Sequence, residues 1–439
     1  MRVLTLIAGL LLSSSLCFAG GKEGKEPPAE YPPKLPDNKT VVTEQMPEFL
    51  KAPENLLPGV EIAKTAPTVD FLYLPGQDYA GNPWSIWGDG IAVGDKFYCS
   101  LSDHHGPSGT ARVFEYDARA KTMRIIGDVR KTLQDAGALP PEMKYAPGKI
   151  HSRLDLGKDG WLYYSTHRGS PRKANDELGY KGDWILRTDP RSGKSEVVAT
   201  FPVEKHSIPA GILDPERLIF YGSTAEGPDA PEKGIFFIAY DVANRKLLKK
   251  ELGGFERACI FSRSTGCLYW DGKKYDPATN EISTSNAPSV RSATVESAAG
   301  IVYGTTKNSA DIWAYDVKND KLTQVAPGAV GKQGYTTTIE IDPTGRYLYY
   351  TPGAHGGAEN DGTPIVQFDL KTKTRKVIAF LHPAIFDKYG YMPIGTFSSA
   401  LDPKGEVLYV AWNGKRKGVK GWDCCAMTAI HIPASERQP

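Results

Sequence analysis

No apolar run in this 439-residue chain approaches the ~20 residues that a membrane-spanning helix needs, apart from a short one at the amino terminus. Neither sign of charge dominates: 53 Lys and Arg face 51 Asp and Glu. That balance removes any global argument for binding nucleic acid or an anionic membrane. Cysteine is scarce at six residues, and no Cys-x-x-Cys-His occurs, so covalent haem attachment is excluded. Helical periodicity is almost absent. One segment, Asp128 to Gly137, reads as a helix with an Asp cap and a Gly stop. What the chain does have is punctuation, with 45 Gly and 33 Pro, the composition of a turn-rich all-β protein.

The first residues carry the pattern of an export signal. Arg2 supplies the positive region, Val3 to Leu12 the apolar region, and Cys17-Phe-Ala19 a small-x-small cleavage site. Cleavage after Ala19 is expected, giving an exported protein, periplasmic or secreted. Leu16 is too bulky for the residue before a lipidated Cys17. Residues 20–67 read as a Pro/Lys/Glu-rich linker or arm with little to bury, a tether that stays disordered. Among the five remaining cysteines, Cys259 and Cys267 flank a tight turn and can bridge one hairpin. Cys424 and Cys425 can form a vicinal disulfide or be separately buried.

A repeat organises residues 68–439. Its signature is a Gly turn followed by an aromatic-rich strand: Gly160-Trp-Leu-Tyr-Tyr164, Gly266-Cys-Leu-Tyr-Trp270, Gly300-Ile-Val-Tyr303, Gly345-Arg-Tyr-Leu-Tyr349 and Gly405-Glu-Val-Leu-Tyr409. Asp95-Lys-Phe-Tyr98 and Arg217-Leu-Ile-Phe-Tyr221 are looser copies, making seven. A third strand then ends at pairs such as Tyr116-Asp117, Tyr240-Asp241 and Tyr315-Asp316. The period-two alternation of apolar and aromatic residues marks half-buried strands. Seven units of four short strands predict an all-β, seven-bladed β-propeller. The seventh unit ends without a fourth strand, and Thr68 to Leu74 can supply it and close the ring. Two packed β-sandwich domains are the competing architecture, but they do not predict seven matching turns.

Loop lengths distinguish the two faces of such a ring. One is built of tight turns such as Asp342-Pro-Thr-Gly345 and Asp402-Pro-Lys-Gly405; the other carries long irregular stretches, including Arg168 to Gly182 and His382 to Gly395. Binding usually sits on variable loops held by a rigid scaffold. His104, His105, His151, His167, His206, His355 and His382 all fall on the loop-rich face; His431 does not. Nine residues before the turn glycines stand His151, Arg257 and Arg291, where the innermost strand begins, with His206 nearly in register in the third unit. Seven residues after them stand His167, Lys273 and Lys307. This register gathers His151, His206, Arg257, Arg291, His167, Lys273 and Lys307 around one channel mouth. Such a concentration needs acidic neighbours, for which Asp103, Glu226 and Glu256 are candidates, or an anionic ligand. Ion pairing between blades is the plain structural alternative.

Three chemistries suit the constellation. β-Elimination from a uronate needs a neutralised carboxylate, a base and an acid. His151, His167, His206, Arg257 and Arg291 are the catalytic candidates, and Tyr164, Tyr180 and Tyr335 can contribute. His104, His105, Lys273, Lys307, His355 and Tyr180 would then contact substrate. A divalent metal ion, Zn, Mn or Cu, held by His105, His151, His167 and His206 is the second. His104 and His355 are further possible ligands. The third is a non-catalytic surface for a glycan or a partner protein.

The run His151-Ser-Arg-Leu-Asp-Leu-Gly-Lys-Asp-Gly-Trp-Leu-Tyr-Tyr-Ser-Thr-His167 resembles a hairpin of the propeller polysaccharide lyases that act on ulvan. The resemblance implies roles for His151 and His167 flanking the Asp159-Gly160 turn, and by position alone for Tyr180 and Arg187. The spacing of the two His is shorter here, and 17 residues are covered. Oligogalacturonate lyases share the seven-bladed architecture and a His-rich metal site, without a matching run. The whole chain is similar to exported propellers of planctomycete-type bacteria, including Trp422-Asp-Cys-Cys-Ala and His431-Ile-Pro-Ala-Ser-Glu-Arg437, a resemblance that brings no activity with it. The expectation is an exported propeller that binds an anionic oligo- or polysaccharide at its mouth, with lyase-like cleavage as the leading chemistry.

Overall fold

A computed structural model describes residues 29–81, 83–105, 109–169 and 174–438. The segment read as an export signal, 1–19, lies outside the described residues. Seven antiparallel sheets follow one another along the chain as the blades of a β-propeller, each with four strands running from the channel outward. The ring closes as expected. Thr68–Tyr73 pairs antiparallel with Cys424–His431 and supplies the outer strand of blade 7, with Thr68 opposite His431 and Tyr73 opposite Ala426.

Seven hydrophobic clusters occupy the seven spaces between neighbouring blades. In blade 2, Leu162, Tyr164 and Leu186 face blade 1, while Tyr163 and Ile185 face blade 3. The middle strands are therefore buried on both faces rather than half-buried, because each blade is sandwiched between two others. That explains why both faces of these strands carry aliphatic and aromatic residues instead of alternating apolar with polar. Each large side chain so buried contributes roughly 1.5–3 kcal/mol.

The alternation of side chains between the two faces separates Cys259 from Cys267, so they do not bridge, and it buries Cys424 and Cys425 separately, one of the two alternatives read from the sequence. Cys259 points into the space between blades 3 and 4 and Cys267 into that between blades 4 and 5. Cys424 and Cys425 are likewise split between the two faces of blade 7. All five described cysteines are free and buried.

The arm also differs from its expectation where it is described. Val42–Glu44 adds a fifth strand outside Thr68–Tyr73, and Val60–Ile62 runs parallel to Thr374–Phe380 at the outer edge of blade 6. Leu35, Val42, Phe49 and Ala63 are buried in the cluster between blades 6 and 7. Four apolar residues spaced along an otherwise polar segment suffice to dock it. The helix after blade 1 spans Val129–Asp135 with Asp128 accepting from the Lys131 amide at 3.0 Å, as its cap predicted. A second short helix, Ala384–Tyr389, lies within a stretch expected to be irregular. No helix among the described residues is long and apolar enough to cross a membrane.

Candidate functional site

In blades 1 and 2 the innermost strand is broken in two. Trp84–Ser85 and Ile91–Val93 both pair with Lys96–Asp103, and Lys149–Ile150 and Asp155–Leu156 both pair with Leu162–His167. The gaps, 86–90 and 151–154, bring Trp87, Asp89, His151 and Arg153 to the channel. Gly88 makes the first gap possible: a side-chain carbon there would lie 2.3 Å from the Ser152 carbonyl oxygen.

Arg257 closes the channel. It enters from blade 4, and in a ring of seven the blades opposite are 1 and 7. Its guanidinium donates to the Trp87 carbonyl at 2.9 Å, to Asp89 at 3.0 Å and to the Phe397 carbonyl at 3.2 Å. The side chain is 2% exposed. Beneath it remains a cavity of about 50 Å³ lined by Asp89, Arg153, Glu340 and Ser399, among others. Arg257, expected to be catalytic, is instead a latch across the ring axis.

Above the latch sits an aromatic and imidazole cluster centred on Trp87. Phe397 lies at 4.8 Å between centroids, His104 stacks at 4.9 Å, Trp422 lies at 5.5 Å, His355 at 5.9 Å and His151 at 6.0 Å. Lys149 places its ammonium 4.0 Å from the centre of the Trp87 ring, a cation–π contact. Tyr335 packs edge-on against His355 at 4.9 Å and accepts a hydrogen bond from Arg291. The more open aromatic groups, Trp422, Tyr335 and His355, form the outer surface of the cluster.

Two of the imidazoles are fixed in the same tautomer. His151 Nδ1 lies 2.7 Å from the Pro209 carbonyl, which can only accept, so Nδ1 carries the proton and Nε2 keeps a lone pair. His167 Nδ1 lies 2.8 Å from Ser207 Oγ, whose own proton goes to the Ala225 carbonyl at 3.2 Å. His167 therefore also carries its lone pair on Nε2. Both rings are held neutral. Burial, followed by Lys149 and then Arg257, pushes His151 well below the usual range; burial, Lys149 and the neighbouring His151 do so for His167. Burial and Lys149 push His104 down to about 2. Lys149 itself is lowered to about 7 by burial and by Arg168 and Arg257, and Arg291 to about 10 by burial and Arg257.

The charges at the mouth do not balance locally. Asp89 serves Arg257, and Glu256 serves Lys307 at the exposed rim. Lys149, Arg168 and Arg291 have no carboxylate partner among the described residues. His104 Nδ1 and the Nε atoms of Arg168, Arg257 and Arg291 are buried without any hydrogen-bond partner. Unmade hydrogen bonds of this kind cost about 1–3 kcal/mol each, and more for charged groups.

Of the residues expected at the mouth, the fold brings together His104, His105, His151, His167, Arg257, Arg291 and His355, with Lys307 on the rim. His206 is elsewhere: its two nitrogens are occupied by Thr224 Oγ1 at 3.0 Å and the Glu232 carbonyl at 2.9 Å. Lys273 caps the Gly253 carbonyl at 2.7 Å. Blade 4's second strand, Leu268–Trp270, is so short that a count of seven past its turn runs into the third. Tyr180 is 1% exposed and donates to the buried Asp183 at 2.9 Å, alongside Tyr145 and Thr166. Tyr164 hydrogen-bonds Thr188 between blades 1 and 2, and Arg187 pairs with Glu196. Asp103 accepts from Tyr79 and Glu226 from the Gly234 amide. With His206 spent, the proposed ligand set of His105, His151, His167 and His206 does not assemble. No group of three or more His, Cys, Asp or Glu converges as a metal site among the described residues.

Trp87, Asp89, Lys149, Phe397 and Trp422 were not anticipated at this site. The signal for the first two was legible in Trp87-Gly-Asp-Gly90, since paired glycines imply close backbone approach. Lys149 precedes His151 by two residues, the spacing of one strand face.

No family model and no curated protein matches the chain. Among solved structures, a chain of the mitotic checkpoint complex is similar at 12% identity and a TM-score of 0.52, covering 87% of this chain and 97% of that one. U3-55K at 9% identity (TM-score 0.47, 82% and 98% covered) and the RRP9 WD40 repeats at 9% (0.49, 83% and 97%) also align. At such identities the first speaks to the propeller fold alone. Fold and site together define a propeller whose channel is plugged and whose loop-rich face carries a cluster of aromatic, imidazole and cationic side chains.

Proposed function

We propose that this is an exported propeller whose loop-rich mouth binds an acidic oligo- or polysaccharide. The observation that carries the reading is the set of buried nitrogens without a hydrogen-bond partner among the described residues, on His104, Arg168, Arg257 and Arg291, beside a Lys149 ammonium with no counter-ion among them. Cationic groups that keep an unpaired N–H donor suit an anion that brings oxygen lone pairs. Trp422, Tyr335 and His355 on the outer surface of the same cluster offer apolar faces for a sugar ring. Because Arg257 blocks the axis, the ligand lies across the mouth and does not thread the ring.

A second reading, β-elimination at the same place, is favoured by one further feature. His151 and His167, 5.4 Å apart between centroids, both hold Nε2 lone pairs and can accept a proton. Arg291 beside the Tyr335 hydroxyl supplies an anion holder next to a proton donor. Calorimetry with uronate-containing and matched neutral oligosaccharides tests the binding. We expect binding of the acidic members only, weakened by salt and reduced about tenfold in Arg291→Gln and in Trp422→Ala. Equal binding of neutral members, or none across the panel, overturns the reading. Absorbance from a new C4–C5 double bond in the same mixtures decides between binding and cleavage.

A further inference from the structure

We propose that Lys149 is a carbonyl-trapping amine, forming a reversible imine with an aldehyde or ketone that bears its own carboxylate. The carboxylate part rests on the reading above; the carbonyl part does not. Lys149 opens the inner strand of blade 2 and is 5% exposed. Among the described residues its ammonium has neither a hydrogen-bond nor an ion-pair partner. The ammonium lies over the Trp87 face, 4.0 Å from the ring centre. Asp89, the carboxylate of the latch, is already bound by Arg257. An amine that is buried, without a counter-ion and beside Arg168 and Arg257 is held near neutrality at about pH 7, the condition for a nucleophilic lysine.

Its neighbours fit the rest of the reaction. His167 stands directly across the strand pair from Lys149, and His151 follows two residues on. Cross-strand partners and residues two apart share a face. The Nε2 lone pairs of both rings can therefore serve the proton transfers beside the amine. The Lys149 nitrogen attacks the carbonyl carbon, the C=O π pair moves to oxygen, and a proton passing from nitrogen by way of an imidazole converts that oxygen to hydroxyl. The nitrogen lone pair then expels the hydroxyl, which leaves as water with one more proton. The nitrogen's last proton returns to the relay, leaving C=N, so one carbonyl and one amine give one imine and one water. Arg291 is placed to hold the carboxylate. Two sources share this chemistry: the open-chain reducing end of an acidic sugar, and a small oxo acid.

The test incubates the full chain with glucuronate or with glyoxylate, in the presence of sodium cyanoborohydride to reduce the imine, and maps adducts by peptide mass spectrometry. We expect Lys149 to be labelled at least tenfold faster than any exposed lysine such as Lys131. No adduct is expected at this position in Lys149→Arg or Lys149→Met, each checked by a thermal melt. Labelling by one probe only identifies the source and supports the inference. Adducts spread evenly over surface lysines, or a silent Lys149, overturn it. Acidic oligosaccharides that bind without any Lys149 adduct remove this inference and leave the mouth reading. A glyoxylate adduct in a protein that binds no acidic oligosaccharide does the reverse.

Discussion

The seam where the ring closes and the mouth of its channel both bury charge, and they treat it in opposite ways. At the seam, Asp70 is fully buried on the closing strand and accepts from His431 at 3.0 Å, Lys121 at 2.7 Å and Thr43 at 2.5 Å. Burial alone would raise its pKa, yet the hydrogen bonds from His431, Lys121 and Thr43 hold it at about 2. At the mouth, Lys149, Arg168 and Arg291 share a desolvated space with no carboxylate partner among the described residues. The seam is complete within the chain, whereas among the described residues the mouth is not. Buried charge is compensated in the first region and left without a carboxylate partner among the described residues in the second.

The comparison can be attacked at three points. The largest effect is expected at Arg257, the buried mouth cation that has a carboxylate partner, Asp89. Arg257→Met strands Asp89 and two carbonyls at the axis and should cost about 3–5 kcal/mol by urea denaturation. A loss below 1 kcal/mol would mean that the latch does not hold the ring. Lys149→Met should go the other way and stabilise the fold by roughly 1–4 kcal/mol, since it removes an uncompensated buried charge. The sign follows from a folded pKa lowered to about 7 from 10.5. The penalty is fully present below pH 7 and fades as pH rises toward 10, so the gain should shrink over that interval. A destabilised Lys149→Met at pH 6 would erase the contrast between mouth and seam. At the seam the folded pKa is the lowered one. The Asp70 contribution, about 2 kcal/mol, is present above pH 4 and lost as pH falls toward 2. Asp70→Asn should remove that part of the acid transition, read by tryptophan fluorescence.

The ring was legible from local signals. Turn glycines, Tyr-Asp strand ends and the missing fourth strand of the last unit each involve a few neighbouring residues, and each kept its meaning in the fold. His151 and Arg291 were found because inner strands begin at a constant distance from those turns, His167 because the second strand leaves the same face at a constant distance past them, and His355 because it falls in a long loop of that face. The count failed where blades vary, as at Lys273, and where a histidine is consumed locally, as at His206. It could not reach the latch at all. Arg257 meets Trp87 and Phe397 across 170 and 140 residues of sequence, and nothing short-range marks which arginine will cross the axis. Tyr180 misled for a similar reason: its partner Asp183 lies three residues away but buries the hydroxyl instead of presenting it.

The arm has a consequence for how copies of this protein behave toward one another. The outer strand of every blade ends in a row of unsatisfied amides and carbonyls, a template on which another chain can add. Val42–Glu44 occupies that row on blade 7 and Val60–Ile62 occupies it on blade 6. Elsewhere the rim is guarded by charge, as in Lys246–Leu252 with its three lysines. A chain begun at Thr68 would keep every group of the mouth, yet it would expose two bare edges side by side. The arm thus removes two of the seven edges on which a second chain could pair.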